Sequence, residues 1–144
     1  MNEHELAAKL LDLARRDLRA AEVLCDQPEV GDGIVGFHAQ QAAEKLLKAW
    51  MTLLGIAYPR THDLSLLLLR LEEAGADVTK LWELLDLNPF AVQLRYDILD
   101  DEPLDHAVTL ERVTALLHRV ERLLADPTPP EVAKEEPPTP PERD

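Results

Sequence analysis

Apolar residues recur at spacings of three and four along most of the chain, which is typical of helices rather than strands. Leu and Ala supply most of these positions, and both favour helix. The pattern predicts helical stretches over residues 3–25, 34–54, 64–74, 78–87 and 105–125. The short connections between them favour an all-α fold, an antiparallel up-and-down bundle of four to five helices.

Glycine, proline and capping residues indicate where these helices begin and end. Gly55 and Gly75 are placed to end the second and third helices, because glycine readily adopts the left-handed conformation that closes a helix. Asp63 can cap the start of the third helix. The Asn88-Pro89 pair is expected to break the fourth helix, since proline removes a backbone donor. Gly33 is expected in the loop before the second helix.

The first predicted helix carries an apolar stripe with one charged residue among its members. Asp17 falls at the centre of this stripe when each residue advances by about 100°, and the apolar members are Leu6, Leu10, Leu13, Ala14, Ala21 and Leu24. A carboxylate directed at a core is costly unless it is paired or hydrogen-bonded. Asp17 is therefore expected to be a structural buried charge, with a role in a nucleotide or RNA site as the alternative. Its candidate partners are Lys45, His38 and Arg95.

The last 19 residues differ in composition from the rest of the chain. Residues 126–144 contain 7 of the 11 prolines, and six acidic residues against two basic ones. Such a segment cannot bury enough apolar surface to fold. We therefore expect one helical domain over residues 1–125 and a disordered, acidic, proline-rich tail over residues 126–144.

The net charge of −13 narrows the classes of function. Residues 1–125 hold 13 Lys and Arg against 22 Asp and Glu. General binding of nucleic acid depends on neutralising phosphates, so this composition leaves room only for a small local basic site. The single cysteine cannot form an internal disulfide, which fits a reducing cytoplasm. No apolar run approaches the roughly 18 residues of a membrane span, so no membrane association is expected.

Residues 37–50 carry the densest group of candidate binding residues. On a helix, His38, Gln41, Lys45 and Lys48 share one side, with Glu44 beside them. One interpretation is an ordinary amphipathic helix with a solvated polar face. The other is a site for a phosphate group, because a histidine beside two lysines suits an anion.

Two further segments contain candidate binding residues. Arg60 and His62 stand just before the third helix, where free backbone N–H groups attract anions; the alternative is that this segment only caps the helix. Arg95 is isolated among apolar and acidic residues, so it is either the partner of a buried carboxylate or a functional base. We find no metal-ligand spacing and no Gly-rich phosphate loop, and we expect neither a metal nor a cofactor.

Together these segments resemble the HEPN domain family, and in particular its branch with an Ala-Gln-Gln-Ala-Ala-Glu-Lys helix. The resemblance rests on Asp17-Leu18-Arg19-Ala20-Ala21, on residues 37–49, on Pro59-Arg60-Thr61-His62-Asp63-Leu64 and on Arg95-Tyr96. It implies an antiparallel helical bundle, a homodimer, an association with nucleotides, and a minimal nucleotidyltransferase as partner protein. The ligand-binding residues would then be His38, Gln41, Lys45, Lys48, Arg60, His62 and Arg95.

Some members of this family are RNases of toxin–antitoxin pairs, and they use an Arg and a His separated by four to six residues. Arg112 and His118 have five residues between them and match this spacing. On one regular helix, however, their side chains are about 120° apart, and His118 points to solvent. They are the candidate catalytic residues of the RNase branch, but the spacing alone does not assign a catalytic role.

Three hypotheses follow from the sequence. The first is a dimeric cytoplasmic binding module for a nucleotide or RNA, which works with a nucleotidyltransferase. This hypothesis requires no catalytic activity of the chain itself. The second is a metal-independent RNase that uses Arg112 with His118, or Arg95 with His38 or His62. The third is a helical scaffold without a ligand.

Overall fold

The computed structural model describes residues 1–92 and 104–126. These residues form an all-α bundle without strands, which confirms the expected fold class. Arg95 and the tail expected beyond residue 126 lie outside the described residues. The α-helices are α1 (Glu3–Leu24), α2 (Asp32–Leu53), α3 (Leu64–Glu73) and α4 (His106–Ala125), and two 3-10 segments cover Pro28–Val30 and Thr79–Phe90.

Helix α2 is the centre of the bundle. The other three helices and the longer 3-10 segment all pack against it. Fourteen of its 22 residues are buried, so only a narrow strip of α2 faces outward. Ala39, Ala42, Ala43 and Ala49 are fully buried, and their small side chains allow neighbouring helices to approach closely.

The core-facing stripe of α1 overlaps the expected one only in part. Ala14 and Ala21 of the predicted stripe are buried, whereas the other buried residues lie beside that stripe: Ala7, Leu11 and Leu18. Leu13, expected in the core, is 36% exposed. Both sets of residues have helical spacing, so periodicity alone does not distinguish them. Asp17 therefore lies at the edge of the core rather than over its centre.

Glycines with positive φ connect the helices. Gly55 and Gly75, with φ of 71° and 91°, follow the ends of α2 and α3 as predicted. Gly31, with φ of 85°, turns the chain immediately before α2. As a result α2 begins at Asp32, and the expectation that Gly33 belongs to the preceding loop is wrong.

The fourth helical stretch is a 3-10 helix that continues through Pro89 to Phe90, so the expected break at Asn88-Pro89 is wrong. Tertiary contacts hold this end of the segment despite the backbone donor that proline lacks. The Asn88 side chain accepts from the Leu64 N–H at 3.0 Å and donates to Asp63 at 2.9 Å. The segment is thereby fastened to the first turn of α3.

Phe90 packs directly over Gly36 of α2. A Cβ atom at position 36 would lie 2.4 Å from the Phe90 ring, which is far inside van der Waals contact. The missing side chain is therefore what allows the ring to reach the helix backbone. The contact between Phe90 and Gly36 fixes where the 3-10 segment ends against the bundle.

Charged side chains cover the outer faces of α1 and α4. Arg15 of α1 forms an ion pair with Glu121 of α4 at 2.8 Å, and the Arg119 guanidinium lies 4.3 Å from the centre of the Trp50 ring. Burial lowers the pKa of Arg119, although the charge of Asp77 opposes that shift.

In the part of the chain that the structure describes, no helix combines the length and the apolar character needed to cross a membrane.

Candidate functional site

The first cluster of the candidate site joins α1 to the outward strip of α2. Asp17 Oδ1 lies 3.2 Å from His38 Nδ1, and Asp17 Oδ2 forms an ion pair with Lys45 Nζ. The Asp17 side chain is 15% exposed, while His38 and Lys45 are more open to solvent. Two of the three partners proposed for Asp17 therefore contact it at the edge of the core.

The contacts of Asp17 determine its charge. Burial alone would raise the pKa of its carboxyl, but hydrogen bonds from His38 and Lys45, together with their charges, lower that pKa below 3.8. Asp17 is thus a carboxylate at neutral pH and accepts from both partners. We accordingly assign a proton to His38 Nδ1, and the contact with Asp17 does not involve the other ring nitrogen, Nε2. No described residue forms a hydrogen bond with that nitrogen.

The second cluster is centred on Glu44, whose side chain is 5% exposed. Its carboxylate accepts from His62 Nδ1 at 2.8 Å, from Lys48 Nζ at 3.1 Å and from Gln40 Nε2 at 3.4 Å. Gln40 also donates to the His62 carbonyl oxygen at 2.9 Å. Glu44 and Gln40 together fasten the loop before α3 to α2.

Sequence reasoning missed the role of Glu44. It placed this residue beside the polar side of α2, whereas the structure buries it under the loop that carries His62. The available signal was local: Gln40 and Lys48 both stand four residues from Glu44, at a spacing where side chains meet. The contact between Glu44 and His62 joins residues 18 positions apart in the sequence, so no local spacing indicates it.

Gln41 and Tyr58 extend the second cluster, and the first cluster lies beside it on α2, so the two form one surface. Gln41 Nε2 donates to Gln40 Oε1 at 2.8 Å, and Lys48 Nζ lies 5.3 Å from the centre of the Tyr58 ring. We call this surface the α2 strip. It brings together these residues from the predicted binding set: His38, Gln41, Lys45, Lys48, His62 and, in the same loop, Arg60.

Arg60 and His62 are the parts of the α2 strip most open to a ligand. Arg60 is exposed and has no ion pair with any described residue, whereas Lys45 and Lys48 each have a carboxylate partner. The His62 side chain is 64% exposed although its Nδ1 is held by Glu44. An incoming anion would therefore meet these two side chains first.

The backbone at the start of α3 does not offer the expected open anion site. Asp63 Oδ1 accepts from the Ser65 N–H at 2.9 Å, and Asn88 accepts from the Leu64 N–H. The Asp63 N–H donates to Thr61 at 3.0 Å. The hydrogen bond from the Ser65 hydroxyl is the main cause that lowers the pKa of Asp63. Capping occupies these three N–H groups, so they are not open to an anion.

Arg112 and His118, the candidate catalytic pair on α4, have different surroundings. Arg112 forms ion pairs with Glu83 at 3.2 Å and Asp86 at 3.5 Å, both on the longer 3-10 segment. His118 is exposed. In residues 1–92 and 104–126, no group of three or more His, Cys, Asp and Glu side chains could hold a metal ion.

Replacing Asp17 with Asn is expected to destabilise the fold. The change keeps the size of the side chain but leaves Lys45 without its counter-charge, at an expected cost of about 1–3 kcal/mol in unfolding free energy at neutral pH. Urea unfolding followed by circular dichroism measures this difference. The matched control is Asp12→Asn on the same helix: Asp12 is 58% exposed and pairs with Arg16, so about 0.5 kcal/mol or less is expected.

The cost of Asp17→Asn should also depend on pH. Because the pKa of Asp17 is lowered below 3.8 in the folded chain, its stabilisation is fully present above that value. It is lost as the pH falls through the folded-state pKa. The stabilities of the wild type and the variant should therefore converge in acid. A gap of unchanged size at low pH would contradict the ionised pairing.

Comparison with known proteins places the described fold and the α2 strip in a family. A family model described as the HEPN domain matches residues 7–126, which include both carboxylate clusters and the loop with Arg60. No curated protein and no solved structure matches the chain significantly. Because the match covers most of the chain, the chain belongs to the HEPN domain family.

Proposed function

We propose that this chain is a homodimeric binding module for a nucleotide or RNA, which works in the cytoplasm with a minimal nucleotidyltransferase as its partner protein. The observation that carries the proposal is the gathering of Lys45, Lys48, Arg60 and two histidines along the α2 strip. The surrounding domain is strongly acidic. A local cationic surface in such a domain attracts a phosphate group while the rest of the molecule repels non-specific nucleic acid.

Apolar side chains on the surface support the dimeric state. Leu66 and Leu69 stand three residues apart on the outer side of α3, and Leu13 of α1 is also exposed. Apolar patches on a small domain mark surfaces that bind another protein. The nucleotidyltransferase partner rests on the family resemblance.

Purification of the full chain from its own cells tests both associations. Light scattering should give twice the 16.2 kDa of one chain, and mass spectrometry should find a nucleotidyltransferase in stoichiometric amount. A mass of one chain would contradict the homodimer. A homodimer recovered alone would contradict the partner and favour a stand-alone role.

Arg60→Ala is expected to weaken binding of a labelled single-stranded RNA by about tenfold, because a charged hydrogen bond to phosphate is lost. Fluorescence anisotropy at low salt measures the dissociation constant. The matched control is Arg70→Ala: Arg70 is exposed on α3, and its removal changes the net charge by the same amount. Equal weakening in both variants would mean that only overall charge matters, and absence of binding to RNA and to nucleotides would contradict the proposal.

The contact between Asp17 and His38 favours a second candidate, a metal-independent RNase of a toxin–antitoxin pair. Asp17 contacts Nδ1 of His38 and leaves Nε2 without a partner among the described residues; in the neutral tautomer that donates from Nδ1, Nε2 has the lone pair that a general base needs. Nε2 would take the proton of a ribose 2′-hydroxyl, whose oxygen then attacks phosphorus. The bond from phosphorus to the 5′-oxygen breaks, that oxygen takes a proton from water, and a 2′,3′-cyclic phosphate remains.

Variants of the two candidate histidines test the RNase activity. His38→Ala should reduce cleavage of a defined RNA by about 100-fold or more, since general bases contribute that much, whereas His118→Ala should leave it unchanged. Gel analysis of the products in the presence of a chelator measures cleavage. Loss of cleavage in His118→Ala alone would assign the activity to the Arg112 and His118 pair. RNA that stays intact with excess wild-type protein would contradict the RNase.

A further inference from the structure

The ionic groups of the α2 strip nearly balance one another. Lys45 pairs with Asp17 and Lys48 pairs with Glu44, so these four side chains carry no net formal charge. Arg60 adds one positive charge that no described carboxylate neutralises. Counting histidine as neutral, as in the formal net charge of the chain, these two ion pairs and Arg60 together carry a formal charge of +1.

This balance limits how many phosphate groups the strip can accept. Recruiting Lys45 or Lys48 to further phosphates would require each lysine to leave its carboxylate. Asp17 is 15% exposed and Glu44 only 5%, so either carboxylate would remain largely buried without its lysine, which is strongly unfavourable. A second or third phosphate group would instead face the acidic remainder of the domain.

A cavity of about 390 Å³ opens beside the strip. Its walls are mainly apolar and include Leu6, Ile56 and Tyr58, while Glu3 and Thr52 contribute polar atoms. The Tyr58 ring also has Lys48 Nζ 5.3 Å from its centre, so the cavity and the strip meet at this residue. An aromatic wall in a pocket of this size suits a flat, weakly polar group such as a nucleobase.

We infer that the α2 strip binds a nucleotide unit that carries a single phosphate group, with the base in the cavity against Tyr58 and the phosphate at Arg60 and His62. This inference rests on the proposed binding function and names its ligand class. Two sources offer the same chemistry: a free nucleoside monophosphate, and one unit of an RNA strand.

Titration with AMP, ADP and ATP at equal ionic strength tests the charge argument. We expect affinity to fall by about threefold or more with each added phosphate, because each adds negative charge for which the site has no free positive group. The conservative variant Glu44→Gln removes one negative charge and should narrow the gap between AMP and ATP. Affinity that rises from AMP to ATP in the wild type would overturn the inference, whatever the variant does.

Variants of Tyr58 test the position of the base. Tyr58→Ala should weaken AMP binding by about tenfold, as loss of a base-stacking ring does, while Tyr58→Phe keeps the ring and should bind AMP like the wild type. Both variants should bind inorganic phosphate alike. Melting curves of the variants confirm that each is folded. AMP affinity unchanged by Tyr58→Ala would overturn the placement of the base.

The dinucleotide ApA distinguishes the two sources of the ligand. Binding of ApA more than about tenfold tighter than AMP assigns the site to an RNA strand, and comparable or weaker binding of ApA assigns it to a free mononucleotide. Absence of binding by AMP, ApA and longer RNA would instead be failure of the proposed function itself. A site that binds ATP or longer RNA but neither AMP nor ApA would overturn only the single-phosphate inference.

Discussion

Helix α2 is enclosed by the other elements, and a helix enclosed in this way can carry a charged side chain only against a partner. This constraint explains why both carboxylates near α2 are surrounded by donors. Glu44 meets three of them, and Asp17 meets a lysine and a histidine. The same contacts hold α1 and the loop before α3 onto α2. The charged groups of the candidate site are therefore also part of what holds the bundle together.

This dual role makes the candidate site rigid before any ligand arrives. His62 is held through both its ring and its carbonyl oxygen, and the next residues are fixed by the cap of α3 and by Asn88. Groups held in this way lose little conformational freedom on binding. Arg60 differs, because it stands in the same loop without an ion pair to any described residue. The site thus combines a histidine that is held in place with one long side chain, that of Arg60, whose conformation can adjust to a ligand.

The helices could be predicted because their apolar spacing and their terminal glycines are local features. That Asp17 needs partners could also be predicted, since burying a carboxylate beside an apolar stripe is costly wherever it lies. Other features could not be predicted because they depend on distant contacts. Which side of α1 is buried depends on how α1 packs against α2, and Pro89 is accommodated by contacts of Asn88 with the start of α3. The burial of Glu44 depends on a loop that comes 18 residues later.

The contact of Phe90 with Gly36 has a consequence for how the chain can change. In most helices an interior glycine is a weak point, and replacing it with alanine gains about 0.5–1 kcal/mol. Here a side chain at position 36 collides with the ring of Phe90. Replacing Gly36 with alanine is therefore not stabilising while Phe90 is present. The two positions are therefore coupled: a larger residue at 36 is compatible with this packing only alongside a smaller residue at 90. In relatives that share the fold, these two positions should vary together rather than singly.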